Sequence, residues 1–150
     1  VLNALGLSFP TEAEWEYGCR AGTLTPWWTG LDETNLWSSD LKIKKAANVE
    51  SVVGSTTRVG GHLANAFGLH DVHGNVWEWC RDGYVLDFYG SSAGVQYDPL
   101  SDPYGSSTRV IRGGSYGDSA SDARSARRLS DIPGLADDRL GLRPSRSIRL

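Results

Sequence analysis

Cysteine is scarce: Cys19 and Cys80 are the only two in 150 residues. Two are too few for a disulfide framework, and their spacing matches no metal motif. They pair only if the fold brings them together; otherwise they are buried free thiols. No apolar run reaches the roughly 18 residues a spanning helix needs, so no membrane-spanning segment is expected. A charged-then-apolar leader is absent, and Val1 is not an initiator, so the chain reads as a fragment or a processed product. Strong charge is absent too. A net charge of −3 gives no pull toward nucleic acid or anionic membranes. Phenylalanine is rare, three residues against six tryptophans. A core built on few large side chains follows.

The length fits one domain, 1–150, large enough to bury a core. Eighteen glycines imply many turns, hence a loop-rich, irregular chain. Charge is unevenly placed. Residues 109–150 hold nine arginines and five aspartates, a local balance of +4, while all three lysines lie at 42–45. Arginine favours bidentate pairing, so internal Arg–Asp pairs are expected there, with an anionic-ligand surface as the alternative.

One helix is predicted over Thr11–Ala21. Thr11 and Glu14 form a capping box behind Pro10. Acidic residues fill the first turns, Arg20 the last, and Gly22 is the expected stop. Ala13, Tyr17 and Arg20–Ala21 share a narrow apolar side, with Trp15 offset toward another segment. Glu12–Glu16 read as structural. From Thr23 to Ala47 no periodicity holds, and Trp27, Trp28 and Trp37 suggest a long ordered loop. Leu41–Lys45 reads as a solvated charged island. Gly83–Ser107 reads as a surface loop held by Tyr84, Phe88, Tyr89, Tyr97 and Tyr104. Thr108–Arg112 reads as a strand ended by Gly113-Gly114.

The densest chemistry lies in Gly68–Asp82, GLHDVHGNVWEWCRD. Asp71 and Glu78 flank the turn signal Gly74-Asn75. Val76–Trp79 then reads as a strand, with Val76 and Glu78 on one face and Trp77 and Trp79 on the other. Two carboxylates and the carbonyls freed by the turn could make an oxygen shell for calcium. The alternative is an ordinary turn with a solvated Glu78. His62, His70 and His73 could serve zinc, but an i, i+3 pair converges on a helix and this segment is turn and strand, so hydrogen-bonded histidines are expected instead.

GLHDVHGNVWEW resembles the signature of the formylglycine-generating-enzyme (sulfatase-modifying factor) superfamily. FPTEAEWEYGCRAG at 9–22, Pro26-Trp27, and RVIRGGSY at 109–116 match in the same order, with RSARR and LGLR as a further match. The resemblance implies an α+β, irregular, C-type-lectin-like fold. It also implies that this chain is the C-terminal portion of the family domain, truncated at the N-terminus. It assigns calcium ligands to Asp71, Gly74, Val76 and Glu78, with the ion tying the 68–75 loop to the strand as a structural cofactor. A first calcium site would start at Asn48-Val49, but 50–62 holds no aspartate to complete it.

The founding enzyme of this family oxidises a sulfatase cysteine with copper and oxygen, using two cysteines after its GGS-aromatic motif. Thiolates suit soft copper(I). Residues 117–128 contain no cysteine, so neither copper nor formylglycine-generating activity is expected. Cys19 matches a family cysteine whose disulfide partner falls near Ser125. The first reading is therefore a non-catalytic, calcium-stabilised binding or accessory module, engaging a protein or small ligand through 117–142. The second is a ligand-binding variable protein of a diversity-generating retroelement, with those residues diversified. The third is the C-terminal part of an iron-dependent sulfoxide synthase of the ergothioneine type, whose iron-bearing helical domain this chain lacks. A kinase module upstream would favour the first. Calcium of modest affinity gives only a lean toward an extracytoplasmic compartment. Pro144 removes a ladder donor, so the last strand should be short or at an edge.

Overall fold

The computed structural model describes residues 2–30, 43, 46–50, 54–90 and 96–146. Trp37 and, apart from Ile43, the 41–45 island lie outside them. Ile43 is fully buried, so at that position the segment enters the core instead of facing solvent.

A short 3₁₀ turn at Leu2–Leu5 leads to helix α1, Glu12–Arg20. Its capping box forms as predicted. Thr11 Oγ1 accepts from Glu14 N at 3.1 Å, and Glu14 Oε2 accepts from Thr11 N at 2.7 Å. The left-handed cap is Ala21, one residue before the expected glycine. The buried face differs from the predicted one: Glu12, Trp15 and Cys19 point inward, and Tyr17 is exposed. The sequence placed Glu12 outside the apolar side and read it as structural. It is buried because Arg128 pairs with both of its oxygens, at 2.7 and 2.8 Å, and Arg112 lies 3.6 Å away.

Four strands follow: β1 Trp77–Gly83, β2 Arg109–Arg112, β3 Leu129–Asp131 and β4 Leu140–Gly141. They form one mixed sheet in the order β3-β2-β1-β4. β2 runs antiparallel to β1 and β3, whereas β4 runs parallel to β1. A register shift bends β1 between Trp79 and Gly83. β4 is two residues long at the sheet edge, as Pro144 foretold. One helix on a small mixed sheet is the expected α+β class.

Two clusters fill the interior. Trp15, Cys19, Val72, Cys80 and Val110 pack between α1 and the sheet. Trp27, Ile43, Ala47, Val49, Ala120 and Ala123 pack behind the turn at 74. Trp27 donates its indole N–H to Ala120 O at 2.9 Å, so a large ring is buried with its polar atom satisfied. The 83–107 loop is held differently from expectation. Tyr97 and Tyr104 are exposed, so they are not anchors. Polar contacts hold the loop: Asp82 accepts from Ser101 N at 3.2 Å and from Glu12 N at 2.7 Å, and Ser101 Oγ donates to Gly83 O. Among the described residues no helix is long and apolar enough to cross a membrane.

Candidate functional site

Asn65 sets the course of the chain into the site. Its Oδ1 accepts from Phe67 N and Leu69 N, at 2.9 and 3.1 Å, closing the loop locally. Its Nδ2 donates to the carbonyls of Gly18 and Cys19, which fastens that loop to the end of α1. The next turn requires Gly74. Its φ is +81°, and a Cβ there would collide with the Asn48 carbonyl. Asn48 O instead accepts from Asn75 N at 2.8 Å, so the Asn48-Val49 segment lies directly against the turn.

The four predicted calcium ligands fall along this turn and β1. Asp71 has φ +54° and is buried. Its Oδ2 accepts from Gly60 N at 2.6 Å, while its Oδ1 is buried with no hydrogen-bond partner among the described residues. Gly74 O accepts from Val76 N at 3.0 Å, and Val76 is half-buried. Glu78 is buried rather than solvated. Trp15 Nε1 donates to its Oε2 at 2.8 Å, and Arg143 Nε to the same oxygen at 2.9 Å. Arg143 NH2 donates to Oε1 at 2.7 Å and to His70 O at 2.8 Å. Both Glu78 oxygens are thus engaged by a guanidinium. For calcium the donor set is divided: Asp71 offers a free buried oxygen, and Glu78 would exchange Arg143 for the ion.

The three histidines do not converge. His70 Nδ1 lies 2.8 Å from His62 O, whereas His73 is fully buried with partners of its own. Nδ1–H of His73 donates to Ala123 O at 2.7 Å, and Nε2 accepts from Trp28 N at 3.1 Å. The neutral ring fits both bonds, and burial lowers its pKa to about 4. Among the described residues no cluster of three or more His, Cys, Asp or Glu could hold a metal ion.

Cys19 Sγ lies 3.5 Å from Ser125 Oγ. Burial pushes the Cys19 thiol up to about 12, and Cys80 is likewise buried and raised. Both cysteines are free. Such thiols are poor nucleophiles and poor metal ligands.

The 117–142 segment contains β3 and β4, the two edge strands of the sheet. Asp118 Oδ2 accepts from Trp77 Nε1 at 2.8 Å and from Ser115 N at 2.9 Å, which fixes the segment's start against β1. Trp77, Ile111, Asp118, Asp131, Asp137 and Arg139 help to line a cleft of about 130 Å³. Arg139 hydrogen-bonds Asp137 at 3.1 Å and holds its carboxyl down at about 2.

Residues 3–148 match the family described as the sulfatase-modifying factor enzyme 1-like domain. The chain belongs to this family. The sulfatase-modifying-factor domain is 36% identical to the formylglycine-generating enzyme of Streptomyces coelicolor, over 92% of the chain and 46% of that enzyme. It is 35% identical to the serine/threonine-protein kinase Pkn1 of Chlamydia trachomatis, over 97% of the chain and 22% of the kinase. Among solved structures, Treponema denticola variable protein 1 superposes with a TM-score of 0.76 at 34% identity, over 92% of the chain and 46% of that protein. The domain thus spans less than half the length of each of these relatives.

Sequence reasoning missed the residues that pack around the predicted ligands. Arg143 lies 65 residues from Glu78, and no local signal links them. His73 stood in the motif, but its role depends on Ala123 and Trp28, which only the fold brings near. Glu12 carried one signal, its place on the helix face that also carries Trp15.

Proposed function

We propose that this domain is a non-catalytic binding or accessory module of its family. The observation that carries the reading is the state of its cysteines. Residues 117–128 have none, and Cys19 and Cys80 are buried with raised thiol pKa values. A copper-dependent oxidation of the family type needs accessible thiolates. The likeness to a protein kinase, of which this chain matches 22%, supports a module that serves a larger protein. The ligand surface is 117–142, whose start is held by Asp118 against Trp77. The test is incubation of the purified protein with a cysteine-bearing sulfatase peptide, copper and oxygen. The expected result is no formylglycine by mass spectrometry; formation of the aldehyde overturns the reading.

A second reading has its own support. The likeness to Treponema denticola variable protein 1 favours a ligand-binding protein diversified within 117–142. Genomic copies that differ only in that interval would establish it, and copies that differ uniformly would end it.

The proposal includes calcium at Asp71, Gly74, Val76 and Glu78 as a structural ion. The unpartnered buried Oδ1 of Asp71 supports it. The Arg143–Glu78 pair sets its condition, because ion and guanidinium compete for one carboxylate.

A further inference from the structure

A cleft of about 410 Å³ is lined by three rings, Phe9, Trp79 and Tyr104, and by two guanidinium groups, Arg81 and Arg109. Trp79 and Arg81 stand two apart on β1, the first half-buried and the second exposed, and alternate with the buried Glu78, Cys80 and Asp82. The strand thus turns one ring and one cation away from the core. Arg109 begins β2 and pairs in register with Gly83.

The other lining segments are tied to the sheet. Pro10 O accepts from Arg81 N at 2.9 Å, which sets Phe9 beside β1. Ser101 N donates to Asp82 Oδ1 at 3.2 Å. Position 83 requires glycine, because a Cβ there would collide with the Asp102 carbonyl. These contacts carry Tyr104, 94% exposed, to the end of β1. A cleft built on fixed backbone lowers the ordering cost when a ligand enters.

The guanidinium groups have donors to spare. Arg109 Nη1 donates to Ser106 O at 2.9 Å and to Thr108 O at 3.2 Å, which orients the fork. Among the described residues its Nε and Nη2 have no acceptor, and neither does the Arg81 side chain. Asp131, opposite Arg109 in register, accepts from Ile132 N at 2.8 Å, and Asp102 accepts from Tyr104 N at 2.7 Å.

Rings and guanidinium groups around one space suit a flat aromatic ligand that carries an anionic group. Rings favour offset or edge contact with another ring. A guanidinium fork takes a carboxylate through two parallel N–H···O bonds. We propose that this cleft binds an aryl carboxylate. Its ring system lies against Phe9, Trp79 and Tyr104, and its carboxylate is held by Arg81 and Arg109. The inference goes beyond the reading of 117–142 as a ligand surface. That segment supplies Pro133 and Gly134 to the lining, but none of these rings or cations.

The experiment is isothermal titration calorimetry of the full chain with naphthalene-2-carboxylate. Naphthalene-2-carboxamide keeps the rings without the charge, and acetate keeps the charge without the rings. Saturable binding of the aryl carboxylate is expected, weakening with added salt. The carboxamide should bind at least ~10-fold more weakly, and Arg81→Gln should lose a similar factor. Tyr104→Ser should lose about 3-fold. Both side chains are exposed, so both variants should keep the parent's thermal transition. No saturation below ~1 mM, equal affinity for the carboxamide, or no response to either substitution overturns the proposal. Equal affinity for acetate also overturns it and leaves a small-anion site. Because the non-catalytic reading is tested by product formation and this one by equilibrium binding, their failures are distinguishable.

Discussion

Cys19 Sγ and Ser125 Oγ face each other at 3.5 Å across 106 residues of chain. The family resemblance placed the partner of this cysteine near that serine, and the fold brings the two side chains into contact. A cysteine at 125 should therefore close a bridge. In the oxidised Ser125→Cys protein, thiol titration should find Cys80 as the sole free thiol. Loop closure over this length is worth up to about 4.7 kcal/mol, and bridges typically deliver about 2–4 kcal/mol, read in urea unfolding. Three free thiols after oxidation would show that the two backbones cannot reach disulfide geometry.

Calcium should compete with Arg143. At a free ion concentration of ~100 dissociation constants, binding adds about 2.7 kcal/mol, read as a rise in Tm that chelator removes. Glu78→Ala should abolish the shift. Arg143→Ala should lower stability without calcium and enlarge the calcium-dependent rise, because it frees both Glu78 oxygens. A transition indifferent to calcium in both the parent and Arg143→Ala rejects the ion at Asp71, Gly74, Val76 and Glu78.

His73 should make the domain acid-sensitive. Its folded pKa, about 4, lies below the ordinary value of 6.5. The unfolded chain takes up the proton first, so stability is lost as pH falls from about 6.5 toward about 4. The loss amounts to roughly 3 kcal/mol over that window. His73→Gln should be less stable at neutral pH, and its unfolding free energy should fall less between pH 6.5 and 5. Equal slopes for the two proteins would place the titrating group elsewhere.

Glu12 should be among the costliest single charges to remove. Glu12→Ala leaves buried Arg112 and half-buried Arg128 without their shared carboxylate. Breaking one side of a buried pair costs about 3–5 kcal/mol. Denaturant unfolding should show a lower midpoint with an unchanged slope. A change below ~1 kcal/mol would mean that Glu16 alone neutralises Arg112.

The elements legible in the sequence were those with local causes. The capping box fixed where α1 begins, and the Gly113-Gly114 pair fixed where β2 ends, because both act within a few residues. Pro144 announced a short edge strand for the same reason. The aromatic anchors of the 83–107 loop were misread at Tyr97 and Tyr104, since aromatic content cannot tell which rings find a surface. Polar contacts from Asp82 and Ser101 hold that loop, and hydrogen bonds between distant segments leave no periodic trace.

By itself, the sequence determined the family, through four motif blocks in order, and the helix and strands those blocks contain. It also determined that 117–128 offers no thiol. Only the tertiary structure decided which charges are buried and what they meet. Glu78 finds Trp15 and Arg143, 63 and 65 residues away, and Glu12 finds Arg128 at 116. A buried carboxylate is stable only with its partner present, and contacts at such separations are fixed by the packing of the whole chain, not by the pattern around either residue.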